Sequence, residues 1–418
     1  MTFFVSCGSS KINILFFYRL NEMLDGIEDE ENELPDQIDV VIHPPGEGED
    51  SDEEDGDEDQ PQFQNLPRSL LNAIVEAPDD EEDEEENHRT PKRKKKMARW
   101  TDPFENLIEI PEAEKQKAVG FDGCTEPVDF FLQFFSDEVL NFIVNQTNDY
   151  ALINLSTEEL LVVIGVLLAS GIVRQTRRRD FWRNQVITNS ISRNRFEEIF
   201  PKLHFVPLTA RTQNDKFKKL RALIKLLNDE FLQHAPDTNF FSVDESMVPY
   251  FGRHGCKQFI RGKPIRFGFK MWVLATAKGY CVQLQPYPGI AERKEDDYDF
   301  VSSGNVVFYF AKILRGHFTE KPLSITLDNY FTSLSLLKSM KDDLNVSGTG
   351  TIRRNKVLCY PFDNTSMQNR GEMMSKYSPD FKTNLVVWRD NKDVLVASTM
   401  CGATPISSTT RFCRKVSV

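Results

Sequence analysis

The sequence predicts an α/β protein in which a helical first half of the folded body precedes a strand-rich second half. Three observations carry that reading. Apolar residues recur at helical spacing in several stretches between residues 130 and 231. After Asp237 the pattern changes to short apolar runs and alternation, with strands expected at Phe240–Val243, 266–275, Val306–Phe310 and Leu323–Leu327. Residues 21–90 are dominated by Asp, Glu, Pro and Gly and cannot bury enough apolar surface to offset chain entropy, so they are expected to stay disordered.

Charge divides the chain in the same way. Residues 1–90 hold 28 acids and four bases (Lys11, Arg19, Arg68, Arg89), whereas residues 91–418 hold 36 acids and 47 bases. An acidic tail joined to a basic body points towards nucleic acid or a basic partner. The acid blocks Glu47–Asp59 and Asp79–Glu86 read either as a solvated spacer or as an arm that competes with DNA for the body. The run Lys92, Arg93, Lys94, Lys95 and Lys96, opened by Pro91, reads as a nuclear localisation signal or a nucleic-acid patch, and a nuclear protein is expected.

Several classes are excluded. The longest apolar stretch, Leu160–Val173, has 14 residues and is interrupted by Gly165, Ser170 and Gly171, which suits a buried helix better than a bilayer crossing. Lys11 interrupts the mildly apolar start and no small-residue cleavage site follows, which argues against a secretory signal. The seven scattered cysteines form no C-x-x-C pair, so neither a disulfide framework nor a zinc knuckle is indicated. There is no Walker or Rossmann glycine pattern, no serine or cysteine nucleophile context, and no small-molecule substrate is expected.

The elements follow in order. Phe130–Asn145 is expected as one helix, and Ser156 with Glu159 forms a capping box opening the apolar helix through Val173. Ser192–Phe205 and Lys216–Phe231 are further amphipathic helices. Between Val173 and Ser192, Arg174, Arg177, Arg178, Arg179 and Arg183 surround Phe181 and Trp182. That grouping suits DNA backbone and base-stacking contacts, or else a solvated helix edge with an aromatic core anchor. On 266–275 the alternation sets Phe267, Phe269, Met271 and Val273 on one face and Arg266 and Lys270 on the other. A helix is expected over Tyr330–Met340, with strands at Asn384–Arg389 and Val394–Ser398.

Two carboxylates have similar settings. Asp244 follows Phe-Phe-Ser-Val and Asp328 follows Leu-Ser-Ile-Thr-Leu. An acid after a strand is commonly a turn or cap residue. Two such strands side by side would instead bring two carboxylates within reach of one cation, which relieves their repulsion. Mg²⁺ takes one or two carboxylates together with phosphate oxygens. From Ser246 to Ala291 there is no acid, while seven bases occur: Arg253, Lys257, Arg261, Lys263, Arg266, Lys270 and Lys278. Such a stretch could seat a phosphate backbone. Among the histidines, His254 stands out because it lies inside it.

These residues resemble the piggyBac transposases and the piggyBac-derived domesticated proteins. The resemblance spans roughly residues 100–418 and rests on Ser242-Val-Asp-Glu-Ser-Met-Val-Pro-Tyr-Phe251, Lys263-Pro-Ile-Arg-Phe-Gly-Phe-Lys-Met-Trp272, Leu327-Asp-Asn-Tyr-Phe-Thr-Ser333 and Gly348-Thr-Gly-Thr-Ile-Arg353. Trp388-Arg-Asp-Asn-Lys392 and the helical block Arg193–Phe205 also fit. It implies a ribonuclease-H-like catalytic domain of the DDE/DDD type over 237–354, preceded by a helical dimerisation and DNA-binding domain over 100–236 and followed by a small β-rich segment over 355–418. A tail (1–90) and a basic linker (91–99) come first. It further implies a homodimer acting on double-stranded DNA, namely transposon ends and TTAA targets, by Mg²⁺- or Mn²⁺-dependent strand cleavage and transfer. Asp244 matches the first catalytic and metal-binding aspartate and Asp328 the second. The third belongs to a Gly-Gly-Val-Asp segment that these residues do not contain, so cleavage by this chain alone is not expected. Three functions remain open: an enzyme, a non-catalytic nuclear DNA-binding module and a histone-binding scaffold.

Overall fold

A computed structural model describes residues 42–43, 74–75, 98–103, 119–173, 175, 177–207, 215–252, 254–260, 265–287, 302–362 and 369–404. The chain divides into two compact units, Glu28–Lys95 and the remainder. In the first, Ile42–His43 pairs antiparallel with Ile74–Val75. The acid blocks and Lys92, Arg93, Lys94, Lys95 and Lys96 lie outside the described residues.

The larger unit begins with helices. The single helix expected over Phe130–Asn145 is two, α1 (Pro127–Phe134) and α2 (Asp137–Ala151). Phe135 leaves helical geometry, and the Ser136 hydroxyl starts a new helix by accepting the Val139 N–H at 3.5 Å. Helix α3 (Thr157–Ile172) opens at the expected capping box: Ser156 Oγ accepts the Glu159 N–H at 3.2 Å, and Glu159 Oε2 accepts the Ser156 N–H at 3.4 Å. The short α4 (Gln185–Ser190) and α5 (Arg193–Ile199) follow, then α6 (Lys218–Gln233). The helix expected through Phe205 stops early because the chain tightens into a 3₁₀ turn containing Pro201.

The second half forms, among the described residues, a nine-stranded mixed sheet. Its strands are β1 (Phe240–Pro249), β2 (Lys257–Phe259), β3 (Phe267–Thr276), β4 (Cys281–Pro286), β5 (Leu323–Leu327), β6 (Val346–Thr351), β7 (Met373–Ser378), β8 (Thr383–Arg389) and β9 (Asp393–Ser398). The central strand β1 pairs antiparallel with β3, which pairs antiparallel with β4; on its other side β1 runs parallel to β5, and β5 parallel to β6. The order β4-β3-β1-β5-β6, antiparallel on one side of the centre and parallel on the other, is the ribonuclease-H-like arrangement expected. The meander β7-β8-β9 extends the sheet through antiparallel pairing of β9 with β6.

Both faces of the sheet are covered, and alternation along β1 and β3 assigns them. Val248, Phe269 and Met271 pack with helical-layer residues such as Val139, Leu160, Val163, Phe196 and Leu223. Phe241, Val243, Trp272 and Leu274 face the opposite core, built from α7 (Ser302–His317) and α8 (Leu334–Leu344). The strand expected at Val306–Phe310 is therefore helix. Val307, Phe310, Ala311 and Leu314 are all buried at helical spacing, and a short apolar run does not distinguish a buried strand from a buried helix. Gly348 on β6 admits α8: a Cβ there would come within 2.4 Å of Leu337 Cδ2.

Candidate metal centre

Strand β1 is longer than the apolar run that predicted it, so Asp244 lies within the strand rather than at its end. It is nevertheless where β1 loses β5. The parallel register runs Phe240↔Ser324, Phe241↔Ile325 and Ser242↔Thr326. Two residues further on, the chains carry Asp244 and Asp328, while β1 continues against β3 as far as Pro249↔Gly268. With side chains alternating along the strand, Asp244 belongs to the face of Ser242, and Asp328 is the first residue beyond β5, where the chain turns. Asp244 is half-buried and Asp328 exposed.

Each carboxylate is tied down by one oxygen. Asp244 Oδ1 accepts the Glu245 N–H at 2.8 Å. Asp328 Oδ1 accepts the Tyr330 N–H at 2.9 Å and the Phe331 N–H at 3.4 Å, while its carbonyl accepts the Thr332 hydroxyl at 2.6 Å. Asp328 is thus also the turn residue that its position after a strand allows. None of these bonds uses Oδ2 of either aspartate, which leaves an oxygen on each for a cation.

Basic and glycine residues brace this turn. Lys356 Nζ donates to the carbonyls of Asn329 (3.1 Å) and Tyr330 (2.9 Å), and Arg353 Nε donates to Asn329 Oδ1 at 3.4 Å. Gly350 lies against it: a Cβ there would meet Thr332 Oγ1 at 2.3 Å and the Leu327 carbonyl at 2.7 Å. The sequence singled out Gly348–Arg353 as a motif but not Arg353, Lys356 or Gly350 as site residues. The Arg353-Arg-Asn-Lys356 cluster was the available signal, and nothing local ties it to Asp328.

The expected DNA-contacting residues divide. Lys270 does not stand on an exposed face. It is buried, with Nζ 5.0 Å from the Tyr287 ring centroid and 4.6 Å from that of Tyr330, because its face of β3 also carries the buried Trp272 and Leu274. It therefore backs the Asp328 turn through Tyr330. Arg266 is exposed, and Lys257 Nζ donates to the Phe251 (3.4 Å) and Gly252 (3.1 Å) carbonyls. Arg253, Arg261 and Lys263 lie outside the described residues.

Arg177, Arg178 and Arg179 are exposed, with Arg178 5.2 Å over the Phe200 ring and Arg179 bonded to Glu197 at 3.2 Å. Their aromatic neighbours are core anchors. Phe181 is buried, and Trp182 Nε1 donates to the Ile191 carbonyl at 2.8 Å. His254 is likewise structural: its Nδ1 accepts the Cys256 N–H at 3.1 Å and its ring packs edge-on against Phe269.

The chain as a whole is similar to known proteins. The Transposase IS4 family model matches residues 126–417. PiggyBac transposable element-derived protein 3 of Homo sapiens is 32% identical over 420 residues, covering 90% of this chain and 70% of that protein. PiggyBac transposable element-derived protein 2 of Homo sapiens is 33% identical over 403 residues, covering 89% and 67%. Among solved structures, a piggyBac transposase synaptic complex with hairpin DNA superposes with a TM-score of 0.59 at 22% identity, covering 70% of this chain and 65% of that one. The chain thus spans about two thirds of the length of the proteins it matches. Family profile, relatives and fold agree: the chain belongs to the piggyBac transposable element-derived proteins of the IS4 transposase family.

Proposed function

We propose that this chain is a transposase-derived DNA-binding protein in which Asp244 and Asp328 jointly hold a divalent cation beside a DNA phosphate. The parallel register of β1 with β5, whose last pair Ser242↔Thr326 stands two residues before each aspartate, supports this reading. The donor set fits the ion. Both ligands are hard carboxylates, each with Oδ2 unengaged by the bonds described, and Mg²⁺ takes one or two protein carboxylates and completes its shell with water and phosphate oxygens. When bound, such an ion polarises a phosphate oxygen and stabilises the charge that develops in phosphodiester cleavage. The protein's own part is positional. The Tyr330 and Phe331 N–H groups orient Asp328, and Lys356 and Lys270 hold the turn from behind.

TTAA-containing duplex DNA as the target, a dimeric assembly and nuclear residence through Lys92–Lys96 complete the proposal; they rest on the resemblance and on the basic run. A second reading is DNA binding without cleavage, which rests on the same resemblance and on the basic body.

One assay separates the two. The full chain is incubated with TTAA-flanked duplex and Mg²⁺ or Mn²⁺. Nicking that disappears in Asp244→Ala supports the cation site. Salt-sensitive binding that survives Asp244→Ala, with no nicking in either protein, supports the binding module. Failure to bind DNA at low salt overturns both. Replacing Lys92–Lys96 by alanine should leave the protein cytoplasmic, and unchanged nuclear import would refute that part.

A further inference from the structure

We infer that the β2–β3 hairpin is a stacking platform for unpaired DNA bases, a role distinct from phosphate binding. The inference rests on the DNA-binding reading above and specifies the state of the DNA that this surface takes.

The observation is an exposed aromatic cluster that the fold does not use. Phe251, after β1, is 83% exposed; Phe259 on β2 is 43% and Phe267 on β3 is 48% exposed. Single exposed apolar residues are ordinary, whereas several converging on one hairpin mark a contact surface. Here they converge. Phe259 and Phe267 are direct cross-strand partners with ring centroids 4.7 Å apart. Lys257, which holds the Phe251 and Gly252 carbonyls, lies 5.6 Å over the Phe267 ring.

The surrounding chemistry favours nucleic acid over protein. No acid occurs from Ser246 to Ala291, and Lys257 and the exposed Arg266 flank the rings. A second copy of this chain would bring the same acid-free, basic stretch against itself. Aromatic rings beside cations suit a strand whose phosphates are attracted and whose bases stack. A base inside a duplex already has both faces stacked, so the rings gain only from bases that have left the stack. The platform borders the strand that carries Asp244: Pro249, five residues beyond Asp244 or about 17 Å at strand rise, pairs with Gly268 next to Phe267.

The test compares the full-length wild type with Phe259→Ala/Phe267→Ala, Phe259→Tyr/Phe267→Tyr and Phe251→Ala. Binding is measured by fluorescence anisotropy to a TTAA duplex containing a short unpaired bubble and to its fully paired counterpart, across a salt series. The alanine pair should weaken bubble binding about tenfold or more while leaving duplex affinity and the salt slope unchanged. The tyrosine pair should restore bubble binding. Phe251→Ala, at the most exposed of the three positions, should show a smaller loss of the same selectivity and guards against misfolding of the double variant. Equal losses on both DNAs, or no loss on either, overturn the platform. So does a change in self-association, measured by sedimentation, without a change in bubble preference. If the wild type binds neither DNA, the DNA reading itself fails; if it binds both and the alanine variants keep the bubble preference, only the platform fails.

Discussion

At Asp328 a single carboxylate holds its own turn with Oδ1 and is oriented by it. Asparagine in its place keeps an oxygen to accept the Tyr330 and Phe331 N–H bonds but removes the charge. Asp328→Asn should therefore fold with an unchanged unfolding midpoint and lose Mn²⁺ affinity by at least about tenfold, as measured by titration calorimetry. A midpoint drop of several degrees would mean the residue serves the turn alone. Thiols obey the same residue-scale logic. Burial pushes the Cys281 thiol up to about 12, and burial likewise raises Cys256, whereas Cys359 is exposed. Among the described cysteines, iodoacetamide should modify Cys359 first and leave Cys281 intact in the native state, as peptide mass mapping would show. Asp244 and Asp328 were singled out in the sequence because each follows an apolar run within a contiguous motif. The fate of Lys270 was not. Alternation gives the side of the strand, and only the arrangement of Tyr287 and Tyr330 shows that this side is closed.

Elements hold the site through close approach. An alanine at Gly350 would strike Thr332 Oγ1 and the Leu327 carbonyl, so Gly350→Ala should destabilise the fold by about 1–3 kcal/mol in urea unfolding and also weaken Mn²⁺ binding by shifting the Asp328 turn. In the helical layer, Arg195 on α5 reaches Glu159 at the start of α3 with Nε and Nη2, both at 2.8 Å, and Glu198 with Nη1 at 2.9 Å. The Arg195 hydrogen bonds hold the Glu159 carboxyl below its ordinary value of 4.5. A depressed carboxylate stabilises the fold above its ordinary pKa, and that contribution is lost as pH falls through the folded value. Arg195→Leu should cost about 1–2 kcal/mol at neutral pH, reduced from a buried pair because the groups are part-exposed. The gap from wild type should close below pH 4.5, as urea unfolding at both pH values would show. The capping box at Ser156 was readable because its partners are three residues apart. Strand β4 and the meander strand β7 were not anticipated, although each pairs antiparallel with its neighbour along the chain, β3 and β8 respectively.

For the whole molecule, the basic body should dominate association with DNA. Affinity should fall linearly in log–log plots against salt, and neutralising the exposed Arg177, Arg178 and Arg179 to glutamine should reduce the slope by up to about three units with little change in sequence preference. A slope unchanged in the triple variant would remove that surface from the interface.

The sequence by itself determined the division into acidic tail and basic body, the passage from helices to strands, the two aspartates and the family. These depend on composition, short-range periodicity and contiguous motifs, all of which are local. The tertiary structure alone decided that β1 runs beside β5 up to two residues before Asp244 and Asp328, that Lys270 is enclosed by tyrosines, and that Phe181 and Trp182 serve the core while Phe251, Phe259 and Phe267 face solvent. Strand register and helix packing bring together residues tens of positions apart, and burial is settled by what lands on a face rather than by the residues that compose it.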